Sequence, residues 1–233
     1  MPLGPRDRLR LWDAAAGMHP VDAAVRCLAV ARPDIGDPAG IPLGERDAAL
    51  LALRQELLGD RLTARALCPA CGEEAAMELS IAALLPRMVV EPEWRVNVDG
   101  RPLAVRALTS RDAAAAVRAA SPEDARTSLV RAMLAVAPED ADPDETTADL
   151  VAASLAEHDR GAEISLALTC AGCGAEWDDV FDVAVFVTAE LAHHGLRLLA
   201  DVAELAGAFG WSEDAILELS DHRRRAYLTL AAG

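Results

Sequence analysis

The sequence predicts an α+β protein in which a split four-cysteine zinc ribbon carries an inserted β-hairpin with helices and is flanked by helices at both ends. Three observations predict this class. Two C-x-x-C pairs each stand between segments of alternating apolar and polar residues. Between the pairs, an Asp-Gly dipeptide separates two further alternating segments, which is typical of a hairpin. Apolar residues recur at helical spacing before the first pair and after the second.

Composition limits the function classes that fit the chain. Its 233 residues are enough for one large domain or two small ones. A net charge of -16 argues against binding to nucleic acid or to anionic membranes, because both need a basic surface. No apolar run approaches the roughly 20 residues that span a bilayer, and the N-terminal residues lack an apolar signal core. We therefore expect a cytoplasmic protein that binds neither nucleic acid nor membrane.

Residues 1–60 are predicted to form a helical region. Helical spacing of apolar residues occurs over residues 7–16 and 20–31, and again over residues 45–58 after a loop rich in Pro and Gly. Cys27 falls on the apolar face of the second of these helices, where we expect it to be buried.

The ribbon is predicted in two halves, residues 61–86 and 162–187. Each half begins with a segment whose apolar and polar residues alternate as in a half-buried strand. A C-x-x-C-G turn follows, and a second alternating segment comes after an acidic residue. The shared layout predicts two strand-turn-strand units that contribute to one site.

The cysteines of these turns have the spacing of a metal site, and they are Cys68, Cys71, Cys170 and Cys173. A gap of two residues lets both thiolates of a turn point at one ion, and the following glycine can adopt the left-handed conformation that the turn needs. Four thiolates complete the tetrahedral shell of a structural zinc ion and leave no position for a substrate water. We therefore predict one bound Zn with a structural role.

Three alternatives for these turns stay open. Iron in a rubredoxin-like site would use the same four ligands. The turns could also keep their cysteines without any metal. A thioredoxin-like dithiol fits less well, because neither pair opens a helix after a strand and a redox pair would not need a duplicate.

The two cysteine pairs are separated by far more than the roughly 15 to 20 residues of the commonest four-cysteine spacing. Residues 87–161 are therefore predicted to be an insertion, with a hairpin over residues 93–108 and three helices after it. Such an insertion costs little free energy of folding, because loop-closure entropy grows slowly with loop length. The acidic run at residues 139–145 lacks the pattern of a calcium-binding EF-hand and is interpreted as a loop.

Residues 188–233 are predicted to form a C-terminal helical region. A strong apolar stripe predicts a helix over residues 191–209, and two shorter helices follow. The chain contains none of the motifs G-x-S-x-G, H-E-x-x-H, G-x-x-x-x-G-K-[ST] or G-x-G-x-x-G. We therefore expect neither an enzyme nor a small-molecule substrate.

The C-terminal sequence GWSEDAILELSDHRRRAYLTL combines Trp-Ser, a short Ile-Leu-x-Leu helix, and an arginine run before Tyr-Leu. Together with the C-x-x-C turns and the upstream GERDAALLALRQELLGD, it resembles the T4-type phage baseplate hub and hub-assembly protein family. Relatives of that family occur in bacterial gene clusters for contractile injection systems. The resemblance implies a non-enzymatic structural or assembly component, with baseplate hub or spike proteins as partners and with incorporation into a phage-tail-like particle as one location.

The resemblance also implies a docking face on the C-terminal helices, formed by Trp211, Ile216, Leu217, Arg223, Arg224 and Tyr227. Two alternatives stay open. The apolar residues of this set could instead pack on the helix over residues 191–209 as ordinary core, while the arginines pair with the chain's own carboxylates. The whole protein could also be a zinc-ribbon adaptor for nucleic acid or transcription, although its acidic charge weighs against that class.

Overall fold

The structure is a computed structural model that describes residues 4–134 and 143–232. Within them, the combination of helices with small antiparallel sheets confirms the α+β class. The predicted acidic loop lies mostly outside the described residues. The helices are α1 (Pro5–Ala15), α2 (Pro20–Ala31), α3 (Leu43–Leu58), α4 (Ile81–Leu84), α5 (Ser110–Val117), α6 (Pro122–Met133), α7 (Glu145–His158), α8 (Val183–Phe209), α9 (Glu213–Leu217) and α10 (Asp221–Ala231). The strands are β1 (Arg61–Leu67), β2 (Glu74–Ser80), β3 (Glu93–Val98), β4 (Arg101–Arg106), β5 (Ser165–Thr169) and β6 (Glu176–Val180).

The described strands form three separate antiparallel hairpins, β1-β2, β3-β4 and β5-β6. The turn of the second hairpin is the predicted one. Asp99 and Gly100 have φ values of 48° and 79°, and a tight hairpin turn of this type needs positive φ at both central residues. The first and third hairpins are the units that carry the cysteines.

The long helix α8 forms the centre of the main core. Its buried face contacts the three N-terminal helices on one side and the two C-terminal helices along its second half. By length and apolar composition alone, α8 is the one helix in the described part of the chain that could cross a membrane. In the structure it contacts helices at both ends of the chain, and Glu190 in its first half forms an ion pair with the buried Arg54.

The sequence predicts this helix from residue 191 and either a strand or the start of a helix over residues 181–187, and the structure shows α8 from Val183 onward. The side chain of Asp182 accepts a hydrogen bond from the Val185 N–H at 2.9 Å and caps the helix there. The boundary predicted between residues 187 and 188 therefore falls inside α8. The run of Val and Phe residues at this point also fits a strand, because β-branched and aromatic residues favour strands.

The two ends of the inserted segment meet. The Glu91 N–H donates to the His158 carbonyl at 2.7 Å, and the Arg160 N–H donates to the Val89 carbonyl at 3.1 Å. Between these ends, β3, β4, α6 and α7 bury their own apolar cluster, which includes Trp94. The chain therefore leaves the cysteine-bearing hairpins and returns to them at one place.

Side chains also cap other helices. Ser121 and Ser212 accept hydrogen bonds from backbone N–H groups in the first turns of α6 and α9. The cap of α5 is Thr109. Its N–H donates to the Asp112 carboxylate at 2.8 Å, in a reciprocal capping arrangement, and Ser110 is buried inside the helix.

Candidate metal centre

Two backbone turns of the same form position the cysteines. In the first, the Cys68 N–H donates to the Glu73 carbonyl at 2.9 Å and the Gly72 N–H donates to the Cys68 carbonyl at 2.8 Å. The second turn repeats this pattern at Cys170 and Gly174, with distances of 2.8 and 2.9 Å. The two glycines have φ values of 75° and 74°, which are the predicted left-handed conformation. Each hairpin therefore ends in a turn that presents two sulfur atoms.

The four sulfur atoms converge on one place, as the sequence predicts. All four lie within 4.8 Å of one another. The Sγ atoms of Cys68 and Cys173 are 3.7 Å apart, and those of Cys71 and Cys170 are 3.6 Å apart. Four sulfurs at the usual distance of about 2.3 Å from a tetrahedral ion are separated by about 3.8 Å, whereas a disulfide holds its sulfurs about 2.05 Å apart. The spacing therefore fits a shared ion and not a pair of disulfides.

Burial gives the site an inner and an outer side. Cys68 and Cys170, the first cysteine of each turn, are 2% and 3% exposed, while Cys71 and Cys173 are exposed to solvent. An ion can therefore reach the site from the solvent side without unfolding either hairpin. The chain neighbours of both inner cysteines are exposed, so a bound ion would link one surface turn to the other.

The electrostatics of the cluster favour a cation. Burial raises the pKa of Cys68, but N–H groups in its own turn and the neighbouring thiols outweigh that effect and lower this pKa to about 7. The Glu73 N–H lowers the pKa of Cys71, but the three other thiols raise it to about 12. One thiolate therefore forms readily, and hydrogen bonds among the thiols oppose the loss of a proton from Cys71. A bound metal ion would remove that opposition.

The same N–H groups would also orient the ligands. Backbone N–H groups of Cys71 and Ala70 point at the Cys68 sulfur, and those of Glu73 and Ala175 point at the sulfurs of the outer cysteines. Hydrogen bonds of this kind fix the direction of a ligating group and stabilise its charged form. Zinc and iron both suit a tetrahedral shell of four sulfurs.

Three members of the predicted docking face are inside the protein, and this part of the prediction needs correction. Ile216 is 0% exposed and Leu217 is 6% exposed, because α9 packs its apolar side on α8. Arg224 is 6% exposed and donates hydrogen bonds to Asp201 at 3.1 Å and Asp221 at 2.8 Å. These residues follow the alternative of ordinary core and internal ion pairing.

The remaining members of that set are at or near the surface. Arg223 is exposed. Trp211 and Tyr227 are half-buried and pack edge to face with ring centroids 4.8 Å apart, and Phe209 stacks on Trp211 at 4.9 Å. Whether these residues contact a partner stays a prediction. Cys27, by contrast, is fully buried in the core as expected.

Sequence reasoning missed a cluster of buried polar side chains near the start of α3. Arg46 and Asp47 are 5% and 4% exposed, and the Arg46 Nε donates to the Asp47 Oδ1 at 2.7 Å. Arg46 also donates to the Ser110 hydroxyl at 3.2 Å. A signal was present, because Arg46 stands four residues before the buried Leu50 and so falls on the apolar stripe of the helix.

Comparison of the chain with protein-family models, with curated proteins and with solved structures finds no significant match. Function must therefore be argued from the site. Among the residues that the structure describes, the four cysteines are the one group of three or more His, Cys, Asp or Glu side chains whose ligand atoms lie close enough to hold one ion.

Proposed function

We propose that the protein is a non-enzymatic structural or assembly component of a contractile phage-tail-like baseplate, acting in the hub and spike region and stabilised by a structural zinc on Cys68, Cys71, Cys170 and Cys173. The observation that carries the structural role of the metal is the closed shell. Four sulfurs within 4.8 Å of one another fill a tetrahedral coordination sphere and leave no site for a substrate or a reactive water.

The contacts within the shell support a cross-linking role. Both of the short sulfur contacts join a cysteine of one turn to a cysteine of the other. An ion there would fasten together two hairpins that are distant in sequence and that lead into and out of the inserted segment. Such a link stabilises the folded state because the unfolded chain would otherwise gain a long free loop.

The resemblance of the C-terminal residues and of the cysteine turns to the hub-assembly family supports the baseplate assignment. A physical basis for an adaptor is that α8 packs on the N- and C-terminal helices and shares an apolar cluster with β1, while the inserted segment contacts α2 through α5. A rigid frame of this kind lets separate surfaces be held at fixed positions for different partners.

Metal analysis of the purified protein tests the zinc assignment. We expect about one zinc per chain, lost together with folding stability when a strong chelator is added. Iron in its place would give a coloured protein with charge-transfer absorption and would replace zinc in the proposal. Full stability without any metal would contradict it.

Deletion of the gene in a strain with a contractile particle tests the biological role. We expect sheaths and tubes without complete baseplates, and co-purification of the chain with hub or spike proteins. Normal particles would contradict the proposal. A gel-shift titration at low salt tests the alternative, because a nucleic-acid adaptor would show salt-dependent binding.

A further inference from the structure

Strand β1 has one edge without a strand partner. It pairs with β2 alone, in a sheet of two strands. In an antiparallel pair, alternate residues exchange hydrogen bonds with the partner strand, and the residues between them direct their N–H and C=O groups to the opposite edge. Which residues face outward is therefore fixed once the phase of the ladder is known.

Two hydrogen bonds at the ends of the hairpin give that phase. The Cys68 N–H donates to the Glu73 carbonyl, and the Ile81 N–H donates to the Asp60 carbonyl at 3.2 Å. The even-numbered residues from 60 to 68 consequently bond toward β2. The backbone groups of the odd-numbered residues, including Thr63, point away from β2. In the described part of the chain, the backbone groups of residues 63 and 65 have no hydrogen-bond partner.

A groove of about 490 Å³ runs along this free edge. Thr63, Ala64 and Arg65 form one wall, and the end of β6 with the start of α8 forms the other wall and the floor. The second wall exposes large apolar side chains, since Val180 is 59% exposed and Val185 is 46% exposed. Unpaired backbone groups and exposed apolar side chains therefore line the same groove.

We infer that this groove binds an extended segment of a partner protein, which adds to the free edge of β1 as a third strand and in which apolar residues alternate with polar ones. The backbone of such a segment would satisfy the unpaired groups of residues 63 and 65, which is the usual source of affinity in strand addition. The inference goes beyond the adaptor role proposed above and does not depend on the baseplate assignment.

The two faces of the groove define the side chains of that segment. Along β1, Leu62, Ala64 and Ala66 point into the core and the residues between them are exposed. Side chains of an added strand alternate in the same way. Those that point inward would lie on the apolar floor of the groove, so they should be apolar and of modest size.

The outward side chains of an added strand would lie beside the exposed side chains of Thr63 and Arg65 on β1. Arg65 forms an ion pair with Glu74 of β2, so this part of the surface carries charges of both signs. The outward positions should therefore be polar.

The free edge is protected only in part. The Arg61 carbonyl accepts a hydrogen bond from Arg54 Nη1 at 2.8 Å, and Arg61 and Arg65 place charge on the strand, but the backbone groups of residues 63 and 65 stay open. Strand β1 has seven residues, contains no proline, and forms its regular ladder along its full length without a bulge. Natural proteins usually shorten, bend or cover such an edge to prevent unwanted pairing. An open edge beside an apolar groove is better explained by a partner that covers it.

Two matched proline variants test the inference. Proline has no N–H and blocks the approach of a strand, so Thr63→Pro would disable the free edge of β1 without removing a bond to β2. Ala76→Pro is the control, because residue 76 is opposite Arg65 in a pair that exchanges no bonds and its N–H points to the other edge of the hairpin. Both positions are exposed. Thermal unfolding would verify that both variants fold alike.

The probe is a fluorescein-labelled seven-residue peptide, Thr-Val-Arg-Val-Thr-Val-Arg, with blocked ends, and binding is followed by fluorescence anisotropy. We expect Thr63→Pro to weaken binding by about tenfold or more and Ala76→Pro to change it by less than about twofold. One peptide N-methylated at its valine amides and another N-methylated at its internal threonine and arginine amides should differ in affinity. The two sets of N–H groups lie on opposite edges of the extended peptide, and one edge alone faces β1.

Three outcomes would overturn the inference. The first is absence of binding to the unmodified protein at about 1 mM peptide, which corresponds to a very weak interaction. The second is an equal effect of the two proline variants. The third is a dimer of the protein itself that sedimentation detects and that Thr63→Pro abolishes, since a second copy of this chain would then be the occupant.

Discussion

Gly44, in the first turn of α3, and Gly161, at the end of the inserted segment, are in direct backbone contact. A Cβ atom added at residue 161 would lie 2.7 Å from the Gly44 Cα. The buried carboxylate of Asp159 completes the contact, because it accepts hydrogen bonds from the Gly44 N–H and the Ala162 N–H, both at 3.2 Å. The inserted segment is therefore fixed to the N-terminal helices at a point that has no room for a side chain.

Gly161→Ala should separate these two backbones and destabilise the protein. Overpacking of a buried contact costs about 1–3 kcal/mol in the free energy of unfolding, and backbone atoms cannot move aside as a flexible side chain can. Gly207→Ala is the matched control, because Gly207 is exposed within α8 and an added Cβ would meet nothing within 4 Å. That change should stabilise the helix by about 0.5–1 kcal/mol. Urea denaturation measures both, and equal effects would contradict the close contact.

Cys170→Ser should remove one ligand from the metal centre and lower both zinc content and stability. The free energy of metal binding adds to that of folding, so partial loss of the site should lower the midpoint of thermal unfolding in zinc-containing buffer. Cys27→Ala is the control, since Cys27 is buried in the core away from the four-sulfur cluster. This variant should lower the free energy of unfolding through lost packing, yet keep the zinc content of the unmodified protein. Equal zinc loss in both variants would contradict a site built from the four clustered cysteines.

Local features of the fold were predictable where one pattern was strong. Strict alternation gives β1 its observed bounds, and helical spacing gives α2 its observed bounds. The convergence of the four cysteines was predictable because two identical turns can complete one coordination shell. The start of α8 was not, because its first turn is rich in residues that also favour strands.

Contacts between residues that are distant in sequence were harder to predict. Apolar residues at helical spacing serve equally as a docking face and as core, and nothing local to Ile216 shows that α8 covers it. The burial of Arg46 likewise depends on Ser110, which is distant in sequence but supplies one of its hydrogen bonds. Local spacing places Arg46 on the apolar stripe of α3, but the identity of such a distant partner follows only from the assembled fold.

Ile216→Ala separates the core role of the C-terminal helices from a docking role. Ile216 is completely buried, so its truncation should lower the free energy of unfolding by about 2–5 kcal/mol. Arg223→Ala is the comparison, because Arg223 is exposed and forms none of the ion pairs of its neighbour Arg224. Its effect on stability should stay within about 0.5 kcal/mol. A mild effect of Ile216→Ala would restore this residue to the candidate docking face.

Asp47 should make stability depend on pH in the direction opposite to that of most buried ion pairs. The pKa of this carboxyl is raised to about 6. Burial is the main cause, the charges of Asp182 and Asp159 act in the same direction, and Arg46 acts in the opposite direction. Between pH 4 and 6 the folded state therefore holds a proton that the unfolded state has released. The contribution of Asp47 to the free energy of unfolding is complete below about pH 4 and falls by up to ~3 kcal/mol as the pH rises through 6.

Asp47→Asn isolates this effect, because the amide keeps an oxygen that can accept from Arg46 but does not titrate. We expect the difference in the free energy of unfolding between the variant and the unmodified protein to rise in favour of the variant from pH 4 to 7, in urea denaturation at fixed ionic strength. Titration of the other groups, including the cysteine cluster, is common to both proteins and cancels in the difference. Parallel pH profiles would show that Asp47 is ionised throughout this range, so that its pairing with Arg46 outweighs the cost of burial.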